Sequence, residues 1–199
     1  METDILFQDV EMTFTIDGKK IPVFEHLNLS IDPSQFTVLI GKSGCGKTTL
    51  LRLIAGLIQP TGGKITVPKR LKIGMMFQEA RLMPWLNCEQ NVLLGLKNRT
   101  KSRADEILEL VGLAGFEKAY PSQLSGGMQQ RVAIARTLIR EANLILMDEP
   151  FAALDAITRR QMQEELLSIR KRTNAGVIFV THDIEEATVL GDRIITVGG

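Results

Sequence analysis

The sequence predicts an α/β core with an N-terminal antiparallel β layer and a helical insertion, and three observations predict it. First, the apolar run Phe36-Thr37-Val38-Leu39-Ile40 reads as a buried strand and 49–55 as a helix; between them lies Gly41-Lys42-Ser43-Gly44-Cys45-Gly46-Lys47-Thr48, a strand–glycine turn–helix arrangement. Second, Leu144-Ile145-Leu146-Met147 and Val177-Ile178-Phe179-Val180 are uninterrupted apolar runs, as expected of central parallel strands. Third, from about residue 79 to 140 the pattern turns helical.

The elements follow in order. Asp17-Gly18 is a two-residue hairpin signal between strands over 10–16 and 19–24. Leu27-Asn28-Leu29-Ser30-Ile31 alternates like a strand with one wet face, and Asp32-Pro33-Ser34 turns the chain into the next strand. After the glycine-rich loop and its helix, 59–63 is a loop, and 65–67 and 73–77 are short strands. Asn87 caps a helix reaching 96. Ser102-Arg103-Ala104-Asp105 resembles a capping box. Behind it Ala104, Ile107, Leu108 and Val111 form one apolar face, closed by Gly112. Another helix covers 127–141, burying Val132, Ala135, Leu138 and Ile139. Asp155 caps a helix to about 171, with Met162, Leu166 and Ile169 on one face. A short helix starts at Asp183, and 193–197 is a last strand.

At 199 residues, with 44% hydrophobic and 24% charged residues, the chain can bury a sizeable core. A formal net charge of +1 supplies no global basic field, so nucleic acid is not an expected partner. Cys45 and Cys88 form no Cys-x-x-Cys, and a disulfide at Cys45 would obstruct the glycine-rich loop. A reducing, cytosolic setting is therefore expected. No signal-peptide pattern appears, and no apolar run approaches the roughly 18 residues of a membrane span. A soluble chain is expected, one that can sit on a membrane-embedded partner.

The stretch from Gly41 to Thr48 fits G-x-x-x-x-G-K-[ST], the phosphate-binding P-loop. Its glycines let the backbone close on phosphates, and the helix N-terminus adds N–H groups and the positive end of a dipole. Gly41, Ser43, Gly44, Cys45, Gly46, Lys47, Thr48 and Thr49 are the candidate nucleotide-binding residues. Lys47 can reach the β- and γ-phosphates, and the Thr48 hydroxyl can ligate Mg²⁺.

Leu124-Ser125-Gly126-Gly127-Met128-Gln129-Gln130-Arg131 then resembles the L-S-G-G-Q signature of the ATP-binding cassette (ABC) family, with Met128 in place of the commonest glutamine. The resemblance covers essentially the whole chain. It implies one ABC ATPase domain over 1–199 with a P-loop NTPase (RecA-like) fold. Core and β layer would occupy about 1–78 and 141–199, and the helical insertion about 79–140. It implies that Ser125, Gly126 and Gly127 bind the γ-phosphate of an ATP held by the other subunit. Asp148, after an apolar strand, would hold Mg²⁺ through its coordinated water, and Glu149 would polarise the attacking water. Gln78 matches the glutamine that reaches Mg²⁺ and the water and links the site to the helical insertion. His182 matches the histidine that contacts the γ-phosphate. Asp155, in Ala153-Leu154-Asp155, matches a loop that crosses the dimer interface, and Phe14 lies where the family stacks an aromatic ring on adenine. His26 matches nothing and reads as a surface residue.

The family geometry implies a homodimer, packed head to tail, with two ATP molecules and Mg²⁺ between the chains. Fused exporters need membrane spans, chromosome-maintenance relatives need a long coiled coil, and translation-factor relatives usually carry two cassettes. The resemblance is therefore to a detached importer ATPase. Phe77-Gln78-Glu79-Ala80-Arg81-Leu82-Met83-Pro84-Trp85-Leu86 is similar to the F-Q-[DE]-x-R-L-[LM]-P-W pattern of the nitrate, taurine and aliphatic sulfonate importers. The partners implied are an integral membrane permease and, indirectly, a substrate-binding protein. The location implied is cytoplasmic, on the inner face of the cell membrane. The alternative is an ABC ATPase of a non-import complex, of the cell-division or lipoprotein-release type. Leu82-Met83-Pro84-Trp85-Leu86 either lines a groove for a permease helix or belongs to the core. The chain ends at Gly198-Gly199 directly after the last predicted strand, which fits a short member and a truncated chain alike.

Overall fold

The computed structural model describes residues 3–98 and 100–198. In chain order the elements are β1 (Ile5–Ile16), β2 (Lys19–Ile31), β3 (Phe36–Ile40), α1 (Lys47–Ile54), β4 (Gly62–Thr66), β5 (Ile73–Met76), α2 (Cys88–Val92), α3 (Lys101–Leu110), a 3₁₀ turn (Pro121–Gln123), α4 (Gly126–Leu138), β6 (Leu144–Asp148), α5 (Ala156–Thr173), β7 (Gly176–Thr181), α6 (Ile184–Leu190) and β8 (Arg193–Thr196). They fall into two compact units, Met1–Leu71 with Gly176–Gly199, and Lys72–Ala175.

The first unit opens with the expected hairpin. Asp17 and Gly18 both take positive φ, 50° and 76°, and Ile16 pairs with Lys19, a two-residue turn whose twist matches that of the flanking strands. β1 runs antiparallel to β2 on one side and to β4 on the other. The two strand segments expected over 19–24 and 27–31 are one strand, because a bulge absorbs the polar residues between them. Asp9 (φ 52°) on β1 and His26 (φ 55°) on β2 take left-handed conformations at the two register shifts that flank the Val10–Leu27 pair. Asn28 bridges them, accepting from the Asp9 N–H and donating to the His26 carbonyl, each at 3.0 Å. The extra residue resets the alternation, so Ile5 and Phe7 before it and Val10 and Met12 after it all point inward. His26 is exposed as expected, and its hydrogen bond to Asp9 (2.7 Å) raises its pKa.

In the same unit β3 lies between β7 and β8, parallel to both. Phe36, Val38, Leu39 and 177–180 are buried, the fully covered strands that their apolar runs predict. Phe36 and Phe179 meet with ring centroids 6.0 Å apart. The turn at Asp32 forms as read: its carboxylate accepts from the Ser34 N–H (2.9 Å) and hydroxyl (2.7 Å).

The second unit holds the parallel pair β5–β6, in register Ile73 to Leu144, with α2 to α5. Its core contains Val92, Ala104, Leu108, Leu113, Val132, Ile134, Leu138, Met162, Leu166 and Ile169. Two helix ends differ from expectation. α3 begins at Lys101 with Thr100 at its N-cap; Ser102 lies inside the first turn, so the proposed capping box is absent. α2 stops at Val92 rather than 96, and the chain turns through Gly95 (φ 77°), where Arg140 takes the Leu94 carbonyl at 2.7 Å. The Asn87 cap is present and reciprocal: Asn87 Oδ1 accepts from Gln90 N–H (2.9 Å) and Gln90 Oε1 from Asn87 N–H (3.0 Å).

Candidate active site

The first unit builds the glycine-rich loop over 41–48. Gly44 (φ 81°) and Gly46 (φ 101°) take conformations that side chains disfavour, and Gly46 is the N-cap of α1. A Cβ on Gly46 would lie 2.7 Å from Phe24 and Val23 of β2, so the loop is pressed against the antiparallel layer. Lys47 is 5% exposed, and its ammonium donates to the carbonyls of Gly41 (2.7 Å) and Lys42 (3.0 Å). Its charge is thus held at the loop itself. Thr48 and Thr49 follow in the first turn of α1, half-buried, while Ser43 is exposed and Cys45 is a free, half-buried thiol.

Two further candidates belong to this unit. His182 is exposed at the C-terminal end of β7. The turn presenting it is fixed by buried Thr181, whose hydroxyl donates to Glu186 (2.6 Å) and accepts from the Asp183 N–H (3.0 Å). That buttress was not legible in sequence, because Thr181 and Glu186 are unremarkable types until the turn brings them together. Phe14 is half-buried on β1, opposite Ile21, with Ile16 on the same face; both isoleucines are exposed. The hairpin end therefore presents an apolar face.

The second unit carries the other candidates. Asp148 ends β6 and Glu149 follows it, both half-buried. Glu149 has φ 45°, a left-handed backbone in a residue with a long side chain. Gln78 follows β5 with its side chain exposed. Ser125 is the N-cap of α4: its hydroxyl oxygen accepts from the Met128 N–H at 3.2 Å, which leaves its proton free to donate. Gly126 and Gly127 form the first turn. Asp155 caps α5, accepting from the N–H groups of Ile157 and Thr158 (3.0 Å each) and from the Thr158 hydroxyl (2.6 Å). The Thr158 hydroxyl, then the Thr158 N–H, hold its carboxyl below the usual carboxylate range. Arg131 meets Glu165 at 2.9 Å; burial raises the Glu165 pKa, and the guanidinium opposes the rise.

The ABC transporter family model matches residues 24–152, more than half of the chain. The chain belongs to the ABC transporter family. As an ABC cassette it is a nucleotide-binding ATPase. It is similar to the aliphatic sulfonates import ATP-binding protein SsuB of Bacillus subtilis, 49% identical over 92% of this chain and 76% of that protein. It is also similar to SsuB 2 of Rhodococcus jostii, 51% identical over 87% of this chain and 71% of that protein. A solved dimeric cassette, MJ0796 in a post-hydrolysis state bound to ADP and Pi, superimposes with a TM-score of 0.83 at 34% identity, covering 97% of this chain and 94% of that one. The α/β P-loop fold expected from the sequence is the fold of these cassettes.

Trp85 corrects one of the two readings of its stretch. It is 70% exposed, so it is not core. Asn91 explains why: its buried side chain holds Met83 N–H (2.8 Å), Met83 C=O (3.2 Å) and Leu86 C=O (2.8 Å), folding the loop around itself with Pro84 and Trp85 outside. Among the described residues no helix is long and apolar enough to cross a membrane.

Proposed function

We propose that this cassette is the ATP-hydrolysing subunit of an importer for sulfonate-type anions. It works as a homodimer on the inner face of the cell membrane, and its ATP-driven closure and opening move a separate permease fed by a substrate-binding protein. The whole chain acts as one ATPase domain, with 79–140 as its helical insertion. One observation carries the reading: a single chain holds two glycine-fronted helix N-termini, at α1 behind Gly44 and Gly46 and at α4 behind Ser125. Each is suited to an anion, and a dimer gives each ATP one of both kinds. The names of the sulfonate-import relatives support the cargo class and do not favour a cell-division or lipoprotein-release complex. Exposed Trp85 supports a partner-facing surface in the segment that follows Gln78.

In this reading Gly41, Ser43, Gly44, Cys45, Gly46 and Thr49 supply the backbone cradle, and Phe14 stacks on the adenine. Lys47 turns from its two loop carbonyls to the β- and γ-phosphates. The oxygen donors Thr48, Asp148 and Gln78 are hard ligands of the type Mg²⁺ takes alongside phosphate oxygens; once bound, the ion neutralises phosphate charge. Glu149 accepts a proton from water as the water oxygen bonds to the γ-phosphorus and the bond to ADP breaks. His182 and the partner's Ser125-Gly126-Gly127 hold the γ-phosphate, and Asp155 lies at the interface. The test has two parts. The purified chain should release phosphate from ATP with Mg²⁺ and not with EDTA. A strain lacking the gene should fail to grow with an alkanesulfonate as sole sulfur source yet grow on sulfate. Growth on the sulfonate would reject the cargo, with nitrate and taurine the next substrates to try.

A further inference from the structure

Three backbone carbonyls of the segment after β5 are held by side chains of one helix, α4. Gln130 Nε2 donates to the Gln78 carbonyl at 2.9 Å. Arg136 donates through Nη2 to Ala80 (2.8 Å) and through Nη1 to Arg81 (2.9 Å). Within the segment, Arg81 takes φ 47° and lays its guanidinium 3.9 Å from the centre of the Phe77 ring. The backbone at 78–81 is thus pinned, while the Gln78 side chain stays exposed.

Neither gripping residue is explained by packing alone. Gln130 is 6% exposed, and its side-chain oxygen is buried without a hydrogen-bond partner. Half-buried Arg136 pairs with no carboxylate among the described residues; burial, with Arg140 nearby, pushes its pKa down. A buried amide oxygen without a partner and a desolvated cation without a counter-charge both oppose folding. What the two side chains gain is the loop.

α4 begins at Gly126, capped by Ser125. The helix therefore carries at its N-terminus the residues assigned above to the partner's ATP, and along its length the grip on the residue assigned to its own chain's ATP. The family resemblance implies that Gln78 links its site to the helical insertion; we propose that Gln130 and Arg136 are the positioning residues that make this link rigid, by locking Gln78 to the signature helix. A shift of Gln78 at one site then carries Ser125-Gly126-Gly127 with it at the other. This rests on the roles proposed above for Gln78 and the signature.

The experiment is a cycle of Gln78→Ala, Gln130→Met and the double variant, with ATPase kinetics and melting on the purified protein. Methionine keeps the volume and cannot donate. Gln130→Met should lower kcat about tenfold to a hundredfold, the range for displacing a positioned group, with the KM for ATP unchanged within a factor of about two because the P-loop is intact. The Hill coefficient should fall toward about 1 from a parent value approaching the number of sites. With the Gln78 side chain gone there is nothing left to position, so the double variant should be no slower than Gln78→Ala alone. Arg136→Lys, which cannot span two carbonyls, should fall between parent and Gln130→Met, and it carries the same cycle if Gln130→Met does not fold. Multiplicative losses in the double variant, or parent kcat and Hill coefficient in Gln130→Met, overturn the lock. Parent turnover in Gln78→Ala would instead remove Gln78 from the reaction, and the lock with it.

Discussion

Glu149 combines a proposed chemical role with an unusual backbone, and the two can be separated by substitution. Replacing it with glutamine keeps size and hydrogen bonding but removes the base. Turnover should fall by about 10²–10⁴, the usual contribution of a positioned general base. ATP–Mg²⁺ should then hold the variant as a dimer on size exclusion. The backbone enters through a second pair. Glu149→Ala and Glu149→Gly both lose the side chain's contacts, and they differ only in whether a Cβ must sit at φ 45°. The left-handed conformation costs an L-residue about 1–2 kcal/mol. Glycine's extra unfolded-state freedom takes back about 0.5–1 kcal/mol. Glycine should therefore be the more stable of the two by about 1 kcal/mol, or about 2–4 °C in melting temperature for a chain of this length. At an ordinary helical site the order is reversed. Phosphate release, size exclusion and thermal melting read the three variants together. Parent turnover in Glu149→Gln would end the base assignment, and an alanine variant melting above the glycine one would refute the strain.

Three shorter predictions address other parts. Ser125→Arg should leave ATP binding by the monomer intact while blocking nucleotide-driven dimerisation; equal losses of affinity and turnover would place the signature in its own chain's site. Trp85→Ala should melt within about 1–2 °C of the parent, as surface substitutions usually do, and keep basal ATPase, while losing co-purification with the permease; retained binding would move the coupling surface elsewhere. Asp155→Ala should melt below the parent at pH 7. Because the Asp155 pKa is lowered in the folded chain, its stabilisation is present above the unfolded value of about 3.9. It is lost as pH falls through the lower folded value, so the gap between the two melting curves should narrow in acid; a gap independent of pH would show that the charge of the cap is immaterial.

What could be read from the sequence followed from short-range chemistry. The apolar runs at Phe36, Leu144 and Val177 announce strands because a covered strand has no wet face. Asp17-Gly18, Asn87 and Asp155 announce their turn and caps because each satisfies backbone groups within three residues. Ser102 failed by the same logic: a motif of suitable types cannot say where a helix starts when the segment before it can already turn helical. The bulge at Asp9 and His26 was invisible because it depends on two strands 17 residues apart sharing one asparagine. Trp85 shows the limit most plainly. Composition offers a large apolar residue and no means of choosing between core and surface, and the choice is made by Asn91, a polar residue that sequence patterning passes over. The same holds for Gln130 and Arg136. Their partners are main-chain carbonyls 52 to 56 residues away, and a carbonyl has no letter in a sequence. Motifs mark the groups proposed to touch nucleotide, because that contact needs particular side chains, or glycines that lack one, at a fixed spacing. The groups that set where those side chains stand act through the backbone, and only the folded chain displays them.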